Sequence, residues 1–326
     1  MQQKKQPASL LAKTMKQTFY SNGKLLITGE YLVLDGAKAF ALPTKLGQNL
    51  IVEKGINHEI QWKSYDSDGS IWFEDTISFS DISNERNLEN DSVKSTLIAI
   101  LHEAFVLNPD FINLSEGHII TTELGFPKNW GLGTSSTLIN NIAQWLQINA
   151  FTLLKNSFGG SGYDIACAQN DTPILYYLEQ GKPIVEKVVF NPPFTENLYF
   201  VYLNKKQSSK NAITAYNINK KHNLDRTIAV NDKITFDALK ATTLKAFALA
   251  IQKHEINMSN ILEMQTVKES LFFDFNGTIK SLGAWGGDFV MAIATENPSN
   301  YFASKGYGTI IPYDEMILQN KETHSS

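Results

Sequence analysis

Short apolar runs separated by polar turns mark the first third of the chain. Leu25–Thr28 and Tyr31–Leu34 read as strands, Asp35-Gly36 is the tight-turn signal of a hairpin, and Ala39–Leu42 is its return. Asn49–Glu53, His58–Tyr65 and Ser70–Phe79 read as further strands, parted by polar turns at Lys54–Asn57 and Asp66–Gly69. The period then changes. Behind Asp91, a candidate cap, Val93, Leu97, Ile100, Leu101, Ala104 and Phe105 keep helical spacing, which predicts a helix to about Phe105. His118–Glu123 reads as a strand. A helix from Ser135 to about Ile148 would place Leu138, Ile139, Ile142, Trp145 and Leu146 on one face.

From about Glu186 the pattern restarts. Val185–Phe190 and Leu198–Leu203 read as strands flanking Pro192-Pro193. Helical stretches follow near Thr235–His254 and Ser259–Phe272. Phe289–Ala294 reads as a strand, Pro298–Lys305 as a short helix and Tyr307–Ile311 as a last strand. Strands and helices mixed in both halves predict an α+β fold of two lobes, residues 18–185 and 186–326, with the boundary between Gln180 and Asn197. Residues 1–17 carry Lys4, Lys5, Lys13 and Lys16, and Met15 is an alternative start. They read as a disordered extension, because their apolar stretch is too short for a signal peptide.

Composition narrows the function. The 326 residues are 43% apolar, enough for a sizeable core. Lysine and arginine total 29 against 33 acidic residues, without the basic excess of a nucleic-acid binder. No apolar run approaches the length of a membrane span. Cys167 is the single cysteine, so neither an intrachain disulfide nor a cysteine zinc site can form, and a reducing cytoplasm fits. The expectation is a cytoplasmic protein with a small-molecule substrate and neither nucleic acid nor membrane as partner. Its oligomeric state stays open.

Three glycine-rich loops carry the candidate chemistry. In Pro127–Ser136, PKNWGLGTSS, Gly131 and Gly133 let the backbone turn tightly and approach a ligand just where a helix begins. The free N–H groups and dipole of a helix start favour an anion. Thr134, Ser135 and Ser136 supply hydroxyls for phosphate oxygens or a metal ion, and Trp130 offers a face for an adenine. Taken alone, the same loop is also a plain serine-capped turn. It is not a Walker A loop, since no lysine precedes the hydroxyls. The second loop, Gly159–Ala166, GGSGYDIA, delivers Asp164 to the start of a short helix running to about Ala168. That carboxylate would either take a proton from a substrate hydroxyl or cap the helix. The third, Leu282–Phe289, LGAWGGDF, is either a close-approach loop ending at Asp288 or a simple helix-to-strand turn.

These loops follow Ser21–Gly36, SNGKLLITGEYLVLDG, in fixed order. Together the four segments resemble the GHMP kinase superfamily over residues 18–312. The opening segment looks like the mevalonate and phosphomevalonate kinase branch, and the GYD-IA sequence marks a GYDIA-type subgroup. The resemblance implies a ribosomal protein S5 domain 2-like N-terminal domain and a ferredoxin-like C-terminal domain. It also implies ATP and Mg2+ as cofactors and a mevalonate-type acceptor of isoprenoid biosynthesis. Carried residue by residue, Gly131, Leu132, Gly133, Thr134, Ser135 and Ser136 match the triphosphate loop, with Trp130 beside it. Ser135 or Ser136 matches the magnesium-contacting serine, Asp164 the catalytic aspartate, and Lys24 the lysine beside it. Glu30, Ser208, Lys210, Gly283, Gly286, Gly287 and Asp288 fall on the substrate side, with Gln207–Lys210 resembling a loop of phosphomevalonate kinases. Three departures stand out. Asn22 replaces a proline, Trp285 replaces a small residue, and Phe151–Gly160 holds no acid where mevalonate kinases carry a magnesium-binding glutamate. Asp164 or Glu30 would then have to compensate.

Overall fold

Burial changes character partway along the first strand. β1 (Gln17–Thr28) is exposed or half-buried over its first four residues and buried from Ser21 onward. It pairs antiparallel with β2 (Ala39–Lys54), from Gln17 opposite Val52 to Thr28 opposite Phe40. In this computed structural model, which describes residues 16–84, 92–206, 213–214, 216–218, 220 and 223–318, the segment between the two strands differs from the sequence expectation. Tyr31–Leu34 is not a strand. Gly29 turns the chain at φ 90°, Tyr31 follows at φ 58°, and Leu32–Asp35 forms a short 3-10 helix closed by a left-handed Gly36. A side chain on Gly29 would meet the backbone of Ala39, so that turn requires glycine.

β3 (Glu59–Tyr65), β4 (Ile71–Ser78), α1 (Phe79–Ser83), α2 (Val93–Leu107), α3 (Asp110–Asn113) and β5 (His118–Leu124) follow. Asp91 lies outside the described residues. Ser92 caps α2 in a reciprocal box with Ser95. α4 (Thr134–Leu146), α5 (Ala150–Ser157), α6 (Tyr163–Ala168), β6 (Ile174–Glu179) and β7 (Lys182–Lys187) complete the first half. Its seven strands run β4-β3-β5-β2-β6-β7, with β1 on β2. All pairs are antiparallel except β3 with β5. β2 is long enough to pair with β5 through Gln48–Lys54 and with β6 through Ala39–Ala41. The strand expected at Val185–Phe190 begins earlier, because Gln180 and Gly181, both at positive φ, set the β6–β7 hairpin.

The second half has four antiparallel strands in the order β11-β8-β10-β9: β8 (Leu198–Tyr202), β9 (Thr278–Leu282), β10 (Phe289–Ile293) and β11 (Ile310–Pro312). Among the described residues it carries the helices α7 (Asp225–Leu239), α8 (Leu244–Leu262), α9 (Val267–Leu271), α10 (Ser299–Ser304) and α11 (Tyr313–Met316). The helical stretch expected at Thr235–His254 is broken, because Thr243 caps a new helix by accepting the Ala246 N–H. The one expected at Ser259–Phe272 is broken too, by left-handed Glu263 and the Thr266–Glu269 capping box.

One apolar cluster joins the two sheets. Leu25, Ile27 and Phe40 pack with Phe200, Leu282, Phe289 and Met291, and with Phe247 and Ile251 of α8. A second lies under the first sheet, where α2, α4 and α5 cover Trp62 and Ile120. Burying each such large side chain contributes roughly 1.5–3 kcal/mol, so β1, which reaches the joint cluster through Leu25 and Ile27, is held firmly.

Candidate functional site

The site grows from an irregularity in β1. Pairing with β2 shifts register between Asn22 and Lys24. Gly23 lies so close to β2 that a Cβ would fall 2.6 Å from Thr44 Oγ1 and 2.8 Å from the Leu46 carbonyl. Next to it, the Lys24 N–H donates to the Leu132 carbonyl at 3.0 Å, tying β1 to the first glycine loop. The Lys24 side chain is 9% exposed. Its Nζ lies 3.2 Å from Asp164 Oδ1 and donates to the Tyr163 hydroxyl at 3.1 Å. Burial works against the ammonium, but Tyr163, Asp164 and Asp288 together outweigh it, so the pKa of Lys24 lies above the ordinary lysine value. Lys24 is a fixed cation.

Asp164 sits in the first turn of α6 but does not cap it. The cap position is Gly162, at φ 93°, with no side-chain cap bond. Gly162 has no room for a Cβ, which would lie 2.9 Å from the Tyr176 hydroxyl and 3.0 Å from the Phe151 ring. Tyr176 donates to the Ser161 carbonyl and so holds the loop from below. The Asp164 side chain, a quarter exposed, therefore faces both Lys24 and solvent.

In the first loop, Gly131 has φ 71° and Gly133 φ 100°. Gly133 is the cap of α4 and supplies no side chain, which leaves the first N–H groups of the helix available to an anion. Thr134, Ser135 and Ser136 are half-buried. Leu132 is buried in the joint core. Trp130 is half-buried with its ring against protein, edge-on to Phe289 at 5.3 Å and tilted against Tyr202 at 6.1 Å.

The third loop meets the first. The Asp288 carboxylate fills the space beside Gly131, where a Cβ would overlap it, and a Cβ on Gly283 would fall 2.5 Å from its Oδ2. Asp288 is 5% exposed and itself lies in the left-handed region, φ 54°. Its N–H donates to the Lys205 carbonyl at 2.7 Å. Lys206 Nζ donates to the Lys128 carbonyl at 3.3 Å, at the entrance to the first loop. Gly286 has open space around it, and the Gly287 N–H donates to the Ala284 carbonyl at 3.1 Å. Trp285 turns inward, packing with Tyr31 and Tyr216, and its indole N–H donates to the Gln265 carbonyl.

A buried polar network ties α4 to β1, to β2 and to the end of α6. Ser21 Oγ donates to Asn141 Oδ1 at 2.7 Å and accepts from Asn140 Nδ2 at 2.8 Å. Asn141 donates to the Gln48 carbonyl, and Thr137 donates to Gln48 Oε1. Gln169, just past α6, donates to Asn140 Oδ1 at 3.0 Å. Asn22 donates to the Asn170 carbonyl and to Asp171 Oδ1. In this way the residue found in place of proline ties β1 to the segment after α6.

Glu30 stands apart from the Lys24–Asp164 pair. It is buried at the end of the turn after β1 and paired with Lys280 of β9. Ser208 and Lys210 lie outside the described residues. Among the described residues, no three His, Cys, Asp or Glu side chains gather into a metal cage. If a magnesium ion binds here, the Ser135 and Ser136 hydroxyls at the start of α4 and the partly exposed Asp164 carboxylate would be its protein donors. That sparse oxygen set fits Mg2+, which is commonly held by one or two carboxylates together with substrate phosphates and water. Among the described residues no helix is long and apolar enough to cross a membrane.

Two features escaped the sequence reading. Tyr163, beside the catalytic candidate, is half-buried with its hydroxyl on Lys24 Nζ, and the desolvation of that hydroxyl pushes it well above the ordinary tyrosine value. The partners of Glu30 are the other. In α8, Phe247, Ala250, Ile251, His254, Glu255 and Met258 are buried at helical spacing. Two ionisable residues on an otherwise apolar face were the signal that a buried charged cluster lay there.

No family model and no curated protein matches the chain. Solved structures do. The mevalonate kinase of Methanococcus jannaschii superposes with a TM-score of 0.68 at 18% identity, covering 95% of this chain and 100% of that one. The phosphomevalonate kinase of Streptococcus pneumoniae, in complex with phosphomevalonate and AMPPNP, gives 0.66 at 16% identity, covering 90% and 99%. The galactokinase of Lactococcus lactis, complexed with galactose, gives 0.60 at 12% identity, covering 89% and 88%. With its mixed seven-stranded and antiparallel four-stranded sheets superposing on these kinases over nine-tenths of its length, the chain has the α+β fold of the GHMP kinases.

Proposed function

We propose that the chain is an ATP-dependent kinase that transfers the γ-phosphoryl group to a small mevalonate-type acceptor, phosphomevalonate or mevalonate, with residues 18–185 and 186–326 as its two domains. The observation that carries this reading is the Lys24 Nζ–Asp164 Oδ1 pair at 3.2 Å, joined through the Lys24 N–H to Leu132 of the glycine loop. Phosphoryl transfer is mostly positioning and charge neutralisation, and these groups supply both. The N–H groups at the start of α4 would hold the β- and γ-phosphates. Lys24, kept charged by its neighbours, would stabilise negative charge on the phosphoryl oxygens. With mevalonate, Asp164 would accept the hydroxyl proton as that oxygen bonds to the γ-phosphorus and the bond to the bridging oxygen breaks, releasing ADP; with phosphomevalonate the attacking atom is a phosphate oxygen that carries no proton, and Asp164 would only orient it. A magnesium ion held by the phosphates, Ser135, Ser136 and Asp164 would neutralise phosphate charge.

The acceptor class rests on the fold shared with mevalonate and phosphomevalonate kinases and on the lysines Lys205 and Lys206 beside the loops. Incubation with Mg–ATP and a panel of mevalonate, phosphomevalonate, homoserine and hexoses, with ADP and phosphorylated product both quantified, tests the proposal. Product from one of the first two, and loss of that product in Asp164→Asn, is the expected result. Tight ATP binding without product from any acceptor would favour a nucleotide-binding regulator instead.

A further inference from the structure

Among the described residues, Glu30, His254, Glu255 and Lys280 form a buried charged cluster outside the proposed phosphoryl-transfer site, none more than 4% exposed. Glu30 is paired with Lys280, which also lies 3.0 Å from Glu255. His254 Nε2 accepts the Gly29 N–H at 3.0 Å, so the nitrogen 3.2 Å from Glu30 is unprotonated and that contact is not an ion pair. Stability does not explain such a cluster. Burying ions costs more than a pair usually returns, and well-packed apolar residues commonly do as well or better.

Geometry does explain it. Lys280 lies on β9, which leads into the third glycine loop at Gly283. Within that loop the Trp285 N–H donates to the Tyr31 hydroxyl at 3.0 Å. Gly29, Glu30 and Tyr31 thus grip α8, β9 and the third loop at consecutive positions. The loop's last residue, Asp288, fits beside Gly131 with no room for a methyl group. A loop displaced by a fraction of an ångström would collide with the nucleotide loop or leave it unsupported.

We propose that Glu30 and Lys280, with Tyr31, form a clamp that sets the approach of the Gly283–Asp288 loop to the Gly131–Ser136 loop. Glu30 and Lys280 are then positioning residues for Asp288 and do not contact the acceptor. The consequence for nucleotide binding rests on the kinase reading, whereas the clamp rests on the loop geometry alone.

Two measurements on the full chain test it: hydrogen exchange at the amides of 283–288, and affinity for Mg–AMPPNP. Glu30→Ala and Lys280→Met should speed exchange in that loop and weaken Mg–AMPPNP binding roughly tenfold, the size of one lost positioning interaction. Glu30→Gln keeps an oxygen acceptor for the Lys280 ammonium and should stay close to the unaltered protein in both. Tyr31→Phe removes only the acceptor of the Trp285 N–H. It should speed exchange at that amide, and it carries the test if the bolder variants fail to fold. Unchanged loop exchange in folded Glu30→Ala or Tyr31→Phe would overturn the clamp. So would a Glu30→Gln protein as defective as Glu30→Ala, which would make the charge itself, or a direct contact, the working feature. If the unaltered protein does not bind Mg–AMPPNP, the kinase reading falls, and the exchange rates alone decide the clamp.

Discussion

At the scale of single residues, Asp164 and Gly131 give the sharpest tests. Asp164 makes no cap bond to α6, so Asp164→Asn should cost the helix little. A general base contributes about 10²–10⁴-fold to rate, equivalent to roughly 3–5 kcal/mol of barrier. Turnover should fall by that factor while AMPPNP affinity without magnesium holds, and melting temperature should drop only as far as Lys24 misses one of its charge partners, all measured on one preparation; weaker binding seen only with magnesium present would place Asp164 on the metal. A variant that melts lower yet turns over normally would make the residue structural. Gly131→Ala meets two obstacles at once: a positive φ of 71°, costing about 1–2 kcal/mol for a residue with a Cβ, and overlap with the Asp288 carboxylate. It should fold, bind Mg–AMPPNP at least tenfold more weakly by titration calorimetry, and disturb Asp288 before Lys24. The sequence named both residues. It could not show that Gly131 makes room for Asp288, because the two are 157 residues apart and only the packing of β10 against the first loop brings them together.

At the scale of elements, α4 is amphipathic in an unusual way. Its apolar side, Ile139, Ile142 and Leu146, meets the helical core as the periodicity predicts. Its other side is also buried but polar, with Thr137, Asn140 and Asn141 at 1% exposure or less. A buried polar group that loses its partner costs about 1–3 kcal/mol. Asn141→Leu would strip Ser21 Oγ of its acceptor and the Gln48 carbonyl of a donor. It should lower stability by about that amount in urea denaturation and weaken Mg–AMPPNP binding by tilting the glycine loop at the helix start. A loss of stability with unchanged affinity would show that the network only stabilises the helix. Periodicity found the helix but could not tell that this polar face is covered, because β1 and β2, which bond to it, come from distant parts of the chain.

At the scale of the whole molecule, the buried Glu30 cluster gives stability a pH dependence. Burial, only partly offset by Lys280, pushes the Glu30 carboxyl up to about 7. A group raised on folding stabilises fully below its unfolded value, here the ordinary carboxylate range near 4.3, and that contribution is lost as pH rises through 7. His254 acts in the opposite sense. Burial and then Lys280 depress its pKa, so its contribution is lost as pH falls below about 6.5. Glu30→Gln removes the first dependence and leaves the second. Its stability relative to the unaltered protein should therefore rise from pH 5 to pH 8 in urea melts, and a constant difference would show that the carboxyl is not raised. The sequence by itself determined the local parts: the glycine loops, the helix that opens after Gly133, the place of Asp164 at the start of a short helix and most of the strands. Those depend on turn chemistry and apolar period, which neighbouring residues write directly into the chain. Only the tertiary structure decided that Trp130 and Trp285 turn against protein, that Tyr163 backs Lys24, that Asp288 fills the space beside Gly131, and that Glu30 is consumed by Lys280. Each of these depends on which distant surface arrives opposite a side chain, and that is settled by how two sheets share one core.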